Sequence, residues 1–268
     1  MSAGTIRPTV AAVVLTMNDR PEEFPRAMAS LLAQEGIELD VVVVGNGCVP
    51  EQVPAGVRTV SLPENVGIPE GRNIGADRVK GDYLFFFDND AHLPDTDTLA
   101  RLVAEFARDP RLAYAQPRLC DPETSVTLRR WVPRLRASDP ARPGIVTVMA
   151  EGVVMVRRDA YDRAGGWPGH FFLFHEGVEL AWRLWDLGCH GRAGRPSSEP
   201  CRLRTIDASG AVGGHEGCVA APPWAPSTFC HHRGSLAGEP WITCHGCGSI
   251  SFVAVAASVP PGVPGVPR

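Results

Sequence analysis

The apolar and polar positions alternate between two periods along the first two thirds of the chain. Residues 9–16 (TVAAVVLT) form a near-continuous apolar run, the pattern of a strand buried on both faces. Asp19 can cap a following helix with Pro21 in its first turn. Phe24, Met28, Leu31 and Leu32 then recur on one face until Gly36 stops the helix. A second buried strand covers residues 39–44 (LDVVVV) and ends at Gly45-Asn46-Gly47. Helix is expected over 69–79, a third strand over 83–87 (YLFFF) ending at Asp88-Asn89-Asp90, an amphipathic helix over 97–107, and a short strand over 112–116. This strand–helix order predicts an α/β fold with a Rossmann-like, mostly parallel, doubly wound sheet and helices on both faces. Ligands of such sheets sit at the carboxyl ends of the strands, so residues 16–20, 45–48 and 88–90 should meet there.

The middle is less regular. Residues 118–145 carry Arg118, Arg129, Arg130, Arg134, Arg136 and Arg142 among several prolines, and read as a loop region over the site. Residues 146–156 have strand character interrupted by Glu151-Gly152. A short helical turn follows over 158–164, closed by Gly165-Gly166, and residues 175–187 (HEGVELAWRLWDL) read as helix ended by Gly188.

Beyond Gly188 the periodic apolar faces vanish. Residues 189–268 hold 12 Gly and 10 Pro with only 4 acidic and 6 basic residues, a composition that cannot offset the cost of ordering its backbone. The division expected is therefore 1–188 as the catalytic-type domain and 189–268 as an irregular Gly/Pro/Cys-rich tail. Six of the eight cysteines lie in that tail. Cys230-His231-His232 with Cys244-His245-Gly246-Cys247 supplies enough zinc ligands by count, but no hydrophobic framework surrounds them. A shifted reading frame explains the composition better. All basic residues but Lys80 are Arg, as expected of a high-GC coding sequence, and a shifted frame of such a gene yields Ala, Gly, Pro, Arg, Cys, His and Ser.

The 268-residue length is enough for a sizeable core. A net charge of −4 argues against nucleic acid as a partner. No apolar run reaches the roughly 18 residues of a membrane helix, and no basic leader precedes the first apolar stretch. The expected location is cytoplasmic, with peripheral association at the inner membrane face left open.

Asp88-Asn89-Asp90 carries the sharpest chemical signal. Two carboxylates at i and i+2 behind a hydrophobic strand place hard oxygens on a turn at the sheet edge. They suit Mg²⁺ or Mn²⁺ bridging a diphosphate, so Asp88 and Asp90 are the candidate metal ligands.

Five segments in order, TVAAVVLTMNDR, VVVVGNG, ENVGIPEGRNIGAD, YLFFFDND and GGWPGHFFLFHEGVELAWRLWDLG, resemble the inverting family 2 glycosyltransferases with their GT-A fold. The bacterial rhamnosyl- or galactofuranosyl-type enzymes of surface polysaccharides are the nearest in character. The resemblance spans about residues 8–188. It implies a nucleotide-diphosphate sugar donor and a glycan or lipid-linked acceptor. It places Thr16, Asn18 and Arg20 around the nucleotide base. Asn65, Gly67, Gly71, Arg72 and Asn73 fall beside the nucleoside and diphosphate, where Gly permits close backbone approach and Arg72 offers a fork of donors. Asp88 falls on the ribose or metal.

The family's usual carboxylate after the second strand is missing. Asn46 stands there, able to hydrogen-bond a base or ribose. In the acidic helix start the family's second acid falls on Gly177, so the base must be another carboxylate: Glu176 is favoured over Glu179, which an i+4 pair with Arg183 explains equally well. Trp182 and Trp185 read as core, and Trp167 as a possible acceptor platform. Two other readings remain open at this point: a nucleotidyltransferase of sugar metabolism, which would want a Gly-rich basic loop where TMNDR stands, and a catalytically impaired nucleotide-sugar-binding protein.

Overall fold

The computed structural model describes residues 7–121, 124, 126–127 and 143–193, and the backbone of 201–203. Three parallel strands form the heart of the sheet: β1 (Thr9–Thr16) lies between β2 (Glu38–Gly45) and β4 (Tyr83–Asp88), with Leu15 level with Val44 on one side and Asp88 on the other. β3 (Arg58–Ser61) adds a parallel edge to β2. On the other side β9 (Val153–Arg157) runs antiparallel to both β4 and β6 (Leu112–Gln116). β10 (His190–Ala193) pairs parallel with β6, and β8 (Gly144–Val146) closes the sheet antiparallel to β10. The order is β3-β2-β1-β4-β9-β6-β10-β8. A small second sheet joins β5 (Ala91–His92), β11 (Cys201–Leu203) and β7 (Leu119–Cys120).

The apolar runs behave as strands buried on both faces. Val10, Ala12 and Val14 of β1, with Phe85 and Phe87 of β4, face α1 (Glu23–Leu32) and α3 (Thr98–Arg108). Ala11, Val13, Leu84 and Phe86 face the opposite layer, where α4 (Arg158–Ala164) and α5 (Glu176–Asp186) pack. Phe85, Phe86 and Phe87 are all essentially inaccessible. Burying each stabilises by about 1.5–3 kcal/mol, so a one-residue slip of β4 would exchange every contact of both layers. α2 (Ile68–Ala76) lies close against β1, because a Cβ on Gly71 would fall 2.7 Å from Leu15 Cδ1. That intimacy brings the next residue, Arg72, under the sheet edge.

Several details depart from the sequence reading. Asp19 caps no helix: α1 starts at Glu23 after Glu22, and the Asp19 carboxylate instead accepts a hydrogen bond from Asn89 Nδ2 at 3.1 Å. The strand material around Glu151-Gly152 is two strands, β8 and β9, and β9 reverses direction within the otherwise parallel centre. Order does not stop at Gly188, since β10 and β11 pair with strands of the first part of the chain. Arg129, Arg130, Arg134, Arg136 and Arg142, and the Cys/His groups of the tail, lie outside the described residues.

Candidate active site

Thr16, Asp88 and the turn to Asp90 meet at the carboxyl ends of β1 and β4, as the strand order requires. Thr16 is buried, and its Oγ1 accepts the Asn18 backbone N–H at 3.0 Å. Asn89 Nδ2 reaches across to Asp19 and, at 3.5 Å, to Thr16 Oγ1. Arg20 Nε stands 3.8 Å from Asp90 Oδ2. Burial and the neighbouring Asp88 push Asp90 up to about 6, against the pull of Arg20.

Behind this edge Arg72 is the pivot. Its side chain is 5% exposed; Nη2 donates to Asp88 Oδ1 at 2.9 Å and Nη1 lies 3.7 Å from Glu176 Oε1. The guanidinium sits over the Trp167 ring, 5.1 Å from its centroid. Arg72 thus contacts two carboxylates and an indole, while its Nη1 has no hydrogen-bond partner among the described residues. The expectation placed its fork beside a diphosphate; here the close packing of α2 on β1 turns the side chain toward Asp88 and Glu176.

Gly67 and Gly71 are likewise explained by packing. Gly67 has φ +87°, and a Cβ there would lie 2.6 Å from Phe172 Cα and O, where Ile68 N–H donates to Phe172 O at 2.8 Å. The start of α2 is thus covered by the chain's own 172 carbonyl.

The amides placed beside the nucleotide are also committed to the protein. Asn18 Nδ2 donates to Val49 O at 2.9 Å while its Oδ1 accepts Glu51 N–H at 3.0 Å. Asn46 Nδ2 donates to Asn65 Oδ1 at 2.7 Å and its Oδ1 accepts Val66 N–H at 2.9 Å; Asn65 Oδ1 also accepts Gly67 N–H at 2.9 Å. Here lies a physical reason for the missing carboxylate at 46. An amide can donate to Asn65 and accept from Val66 at once, whereas a carboxylate would set two acceptors against each other.

Asn73 is a brace. Its Nδ2 donates to Trp167 O at 3.0 Å, and its Oδ1 accepts Trp167 N–H at 2.9 Å and the Tyr161 hydroxyl at 2.6 Å. Asn73→Ala removes these three half-buried bonds and a fourth from Nδ2 to Glu70 Oε2, and should cost about 2–4 kcal/mol in denaturant unfolding, with nucleotide affinity within twofold of wild type in the folded fraction. A loss of affinity without a loss of stability would return Asn73 to the ligand.

On the α5 side, Glu176 is 2% exposed and its pKa is raised, burial being the largest cause. Its Oε2 has no hydrogen-bond partner among the described residues. Glu179 turns away to pair with Arg183, both nitrogens within 2.7 Å of its carboxylate. Its i+4 pairing accounts for it.

Glu151, read in the sequence only as a strand interruption, completes the cluster. Its Oε1 accepts the Gly177 N–H at 2.7 Å, and burial with the neighbouring Glu176 pushes it up to about 7. The signal that could have found it is a carboxylate beside Gly at a break in an apolar run, level with the end of β4. The tryptophans reverse their expected places. Trp167 is buried beneath Phe86 and Arg72 and offers no platform, while Trp182 and Trp185 are 54% and 38% exposed because α5 turns Leu180, Ala181 and Leu184 to the sheet.

The donor set at the turn suits a hard divalent cation. Burial first, and the charge of Asp88 after it, raise Asp90, and a cation would relieve that second part. No group of three metal-binding side chains is assembled among the described residues. Such a pair matches a cation held by two protein carboxylates with the remaining oxygens from a ligand's phosphates.

Residues 12–165 match the family described as glycosyl transferase family 2. The chain belongs to that family. The fold is that of the glycosyltransferases with the GT-A arrangement. The mannosyltransferase PcManGT of Pyrobaculum calidifontis, solved with GDP-Man and Mn²⁺, superposes with TM-score 0.57 at 20% identity over 76% of this chain and 59% of that one. GalNAc-T7, solved with UDP, GalNAc and Mn²⁺, gives 0.56 at 18% identity over 74% and 44%. S. aureus TarS 1-349, solved with UDP, gives 0.56 at 14% identity over 74% and 60%. The chain thus spans less than two thirds of each of these structures. No curated protein matches the sequence. No helix among the described residues is long and apolar enough to cross a membrane.

Proposed function

We propose that this family 2 chain moves a sugar from a nucleoside diphosphate donor to a hydroxyl of a glycan or lipid-linked acceptor, inverting the anomeric centre. The observation that carries the reading is the linking of two acidic groups through Arg72: Asp88 with Asp90 at the end of β4, and Glu176 at the start of α5 with Glu151 from the turn before β9. A displacement needs charge compensation on the leaving side and a proton acceptor on the attacking side.

Asp88 and Asp90 would hold Mg²⁺ or Mn²⁺, which when bound offsets the negative charge of the departing diphosphate. The neighbours' nucleotide and Mn²⁺ complexes support this use of the edge. Arg72 fixes the Asp88 carboxylate, and Thr16 and Arg20 border the space left for the nucleoside. The acceptor oxygen forms a bond to the anomeric carbon while the bond from that carbon to the diphosphate oxygen breaks. The bonding pair leaves with the diphosphate, and the acceptor's proton passes to a carboxylate on the α5 side. No covalent enzyme intermediate is needed. A rhamnosyl- or galactofuranosyl-type donor fits the sequence character best.

The test is a panel of UDP-, GDP- and dTDP-linked sugars with Mn²⁺ or Mg²⁺, scored for nucleoside diphosphate release and, by NMR, for the product anomer. Release from one nucleotide class with inverted product is expected. Retained configuration contradicts the displacement. Pyrophosphate release from a nucleoside triphosphate and sugar phosphate would favour a nucleotidyltransferase.

A further inference from the structure

We propose that Glu151, rather than Glu176, takes the proton of the attacking hydroxyl. The proposal rests on the transferase reading above and names the proton acceptor of that same site.

A general base must bring a carboxylate oxygen within hydrogen-bond reach of substrate. Glu176 fails on access: its side chain is 2% exposed, and its Oε1 faces Arg72. Through that contact, 3.7 Å from Arg72 Nη1, it positions Arg72 and, through Arg72, Asp88.

Glu151 meets the requirement. It occupies the turn immediately before β9 and is only partly buried. The turn is pinned on both sides: Ala150 N–H donates to Gln116 Oε1 at 2.9 Å, and the Gly152 carbonyl accepts Asp88 N–H at 2.8 Å. The second bond sets Glu151 one residue from the backbone that carries Asp88, at the same end of the sheet. Gly177 then makes room for it. A Cβ at 177 would fall 2.8 Å from Glu151 Oε1, so the carboxylate fills the space that a side chain there would take. The Gly177 N–H, in the first turn of α5, holds Oε1 at 2.7 Å. No donor to Oε2 stands among the described residues.

One oxygen anchored, and one with no donor among the described residues, is the arrangement of an oriented base. The charged groups around it are Glu176 from α5, Arg72 from α2 and Asp88 from β4. Burial first and then the charge of Glu176, against the pull of the Gly177 hydrogen bond and Arg72, bring Glu151 to about 7, where a carboxylate both exists ionised and accepts a proton readily.

The experiment compares wild type, Glu151→Gln, Glu151→Asp and Glu176→Gln in the full chain. The readouts are turnover of the best donor of the panel, donor affinity by calorimetry, and thermal unfolding. Glu151→Gln should lower kcat at least a hundredfold with donor Kd within twofold and an unfolding temperature no lower than wild type. Glu151→Asp keeps a carboxylate and should recover at least tenfold over the Gln variant. Glu176→Gln should lose less than tenfold. Glu151→Gln within threefold of an active wild type overturns the proposal, as does a hundredfold loss confined to Glu176→Gln. A wild type inactive with every donor overturns the transferase reading itself, and this inference with it.

Discussion

Arg72→Met should destabilise the chain by about 3–5 kcal/mol and abolish turnover. The guanidinium is 5% exposed and stands between Asp88 and Glu176. Methionine fills much of the same volume over Trp167 but leaves Glu176 as a sealed, unpaired carboxylate. Removing one partner of a buried pair costs far more than the pair itself contributes, because the other charge stays desolvated. The carboxyl will protonate in response, pushed further in the direction in which burial already moves it. Adding Glu176→Gln should therefore recover at least half of the lost stability, though not turnover, since Asp88 remains unheld. The check is urea unfolding of both variants at pH 7.5. A single variant within 1 kcal/mol of wild type would mean that Arg72 is not the pivot described.

Asp90→Ala should weaken Mn²⁺-dependent binding of a nucleoside diphosphate at least tenfold, about 1.4 kcal/mol or more. The variant removes one of two hard oxygens from a site with no third protein ligand among the described residues. Its stability should move differently. Asp90 is raised above its ordinary value in the folded chain, so its ionisation costs the metal-free fold stability as pH rises through about 6. Without that carboxylate, the metal-free variant should unfold no more easily than wild type at pH 8. Calorimetry with Mn²⁺ and with chelator separates the two effects. Unchanged affinity in Mn²⁺ would remove Asp90 from the metal.

The parts of the fold legible in the sequence were those where one interaction dominates. TVAAVVLT, LDVVVV and YLFFF are buried on both faces and could only be inner strands; the carboxyl-edge meeting of Thr16 and Asp88 followed from their order. Short elements were not legible. β3, β5 and β7 are held by their neighbours in the sheets rather than by a periodic pattern, and the reversal of β9 leaves no mark on an apolar run. In the site, position was legible where a charge stands at a strand end, as at Asp88 and Asp90. Residue type did not reveal where a polar side chain also has partners within the protein. Arg72, Asn46 and Asn73 carry the chemistry of ligand binding, yet packing of α2 on β1 and of Trp167 on Asn73 turns them to internal partners. Glu151 was missed because its partner, Gly177, is 26 residues away and acts by having no side chain.

The central claim is that a nucleotide donor lies across the carboxyl ends of β1 and β4, with the acidic turn at its diphosphate. Amide hydrogen exchange of the full chain, with and without nucleoside diphosphate and Mn²⁺, tests it most directly. The account predicts ligand-dependent protection concentrated in peptides covering 16–20 and 88–92, lost in Asp90→Ala. Protection elsewhere with these two segments unchanged, at ligand concentrations that saturate binding, would contradict it.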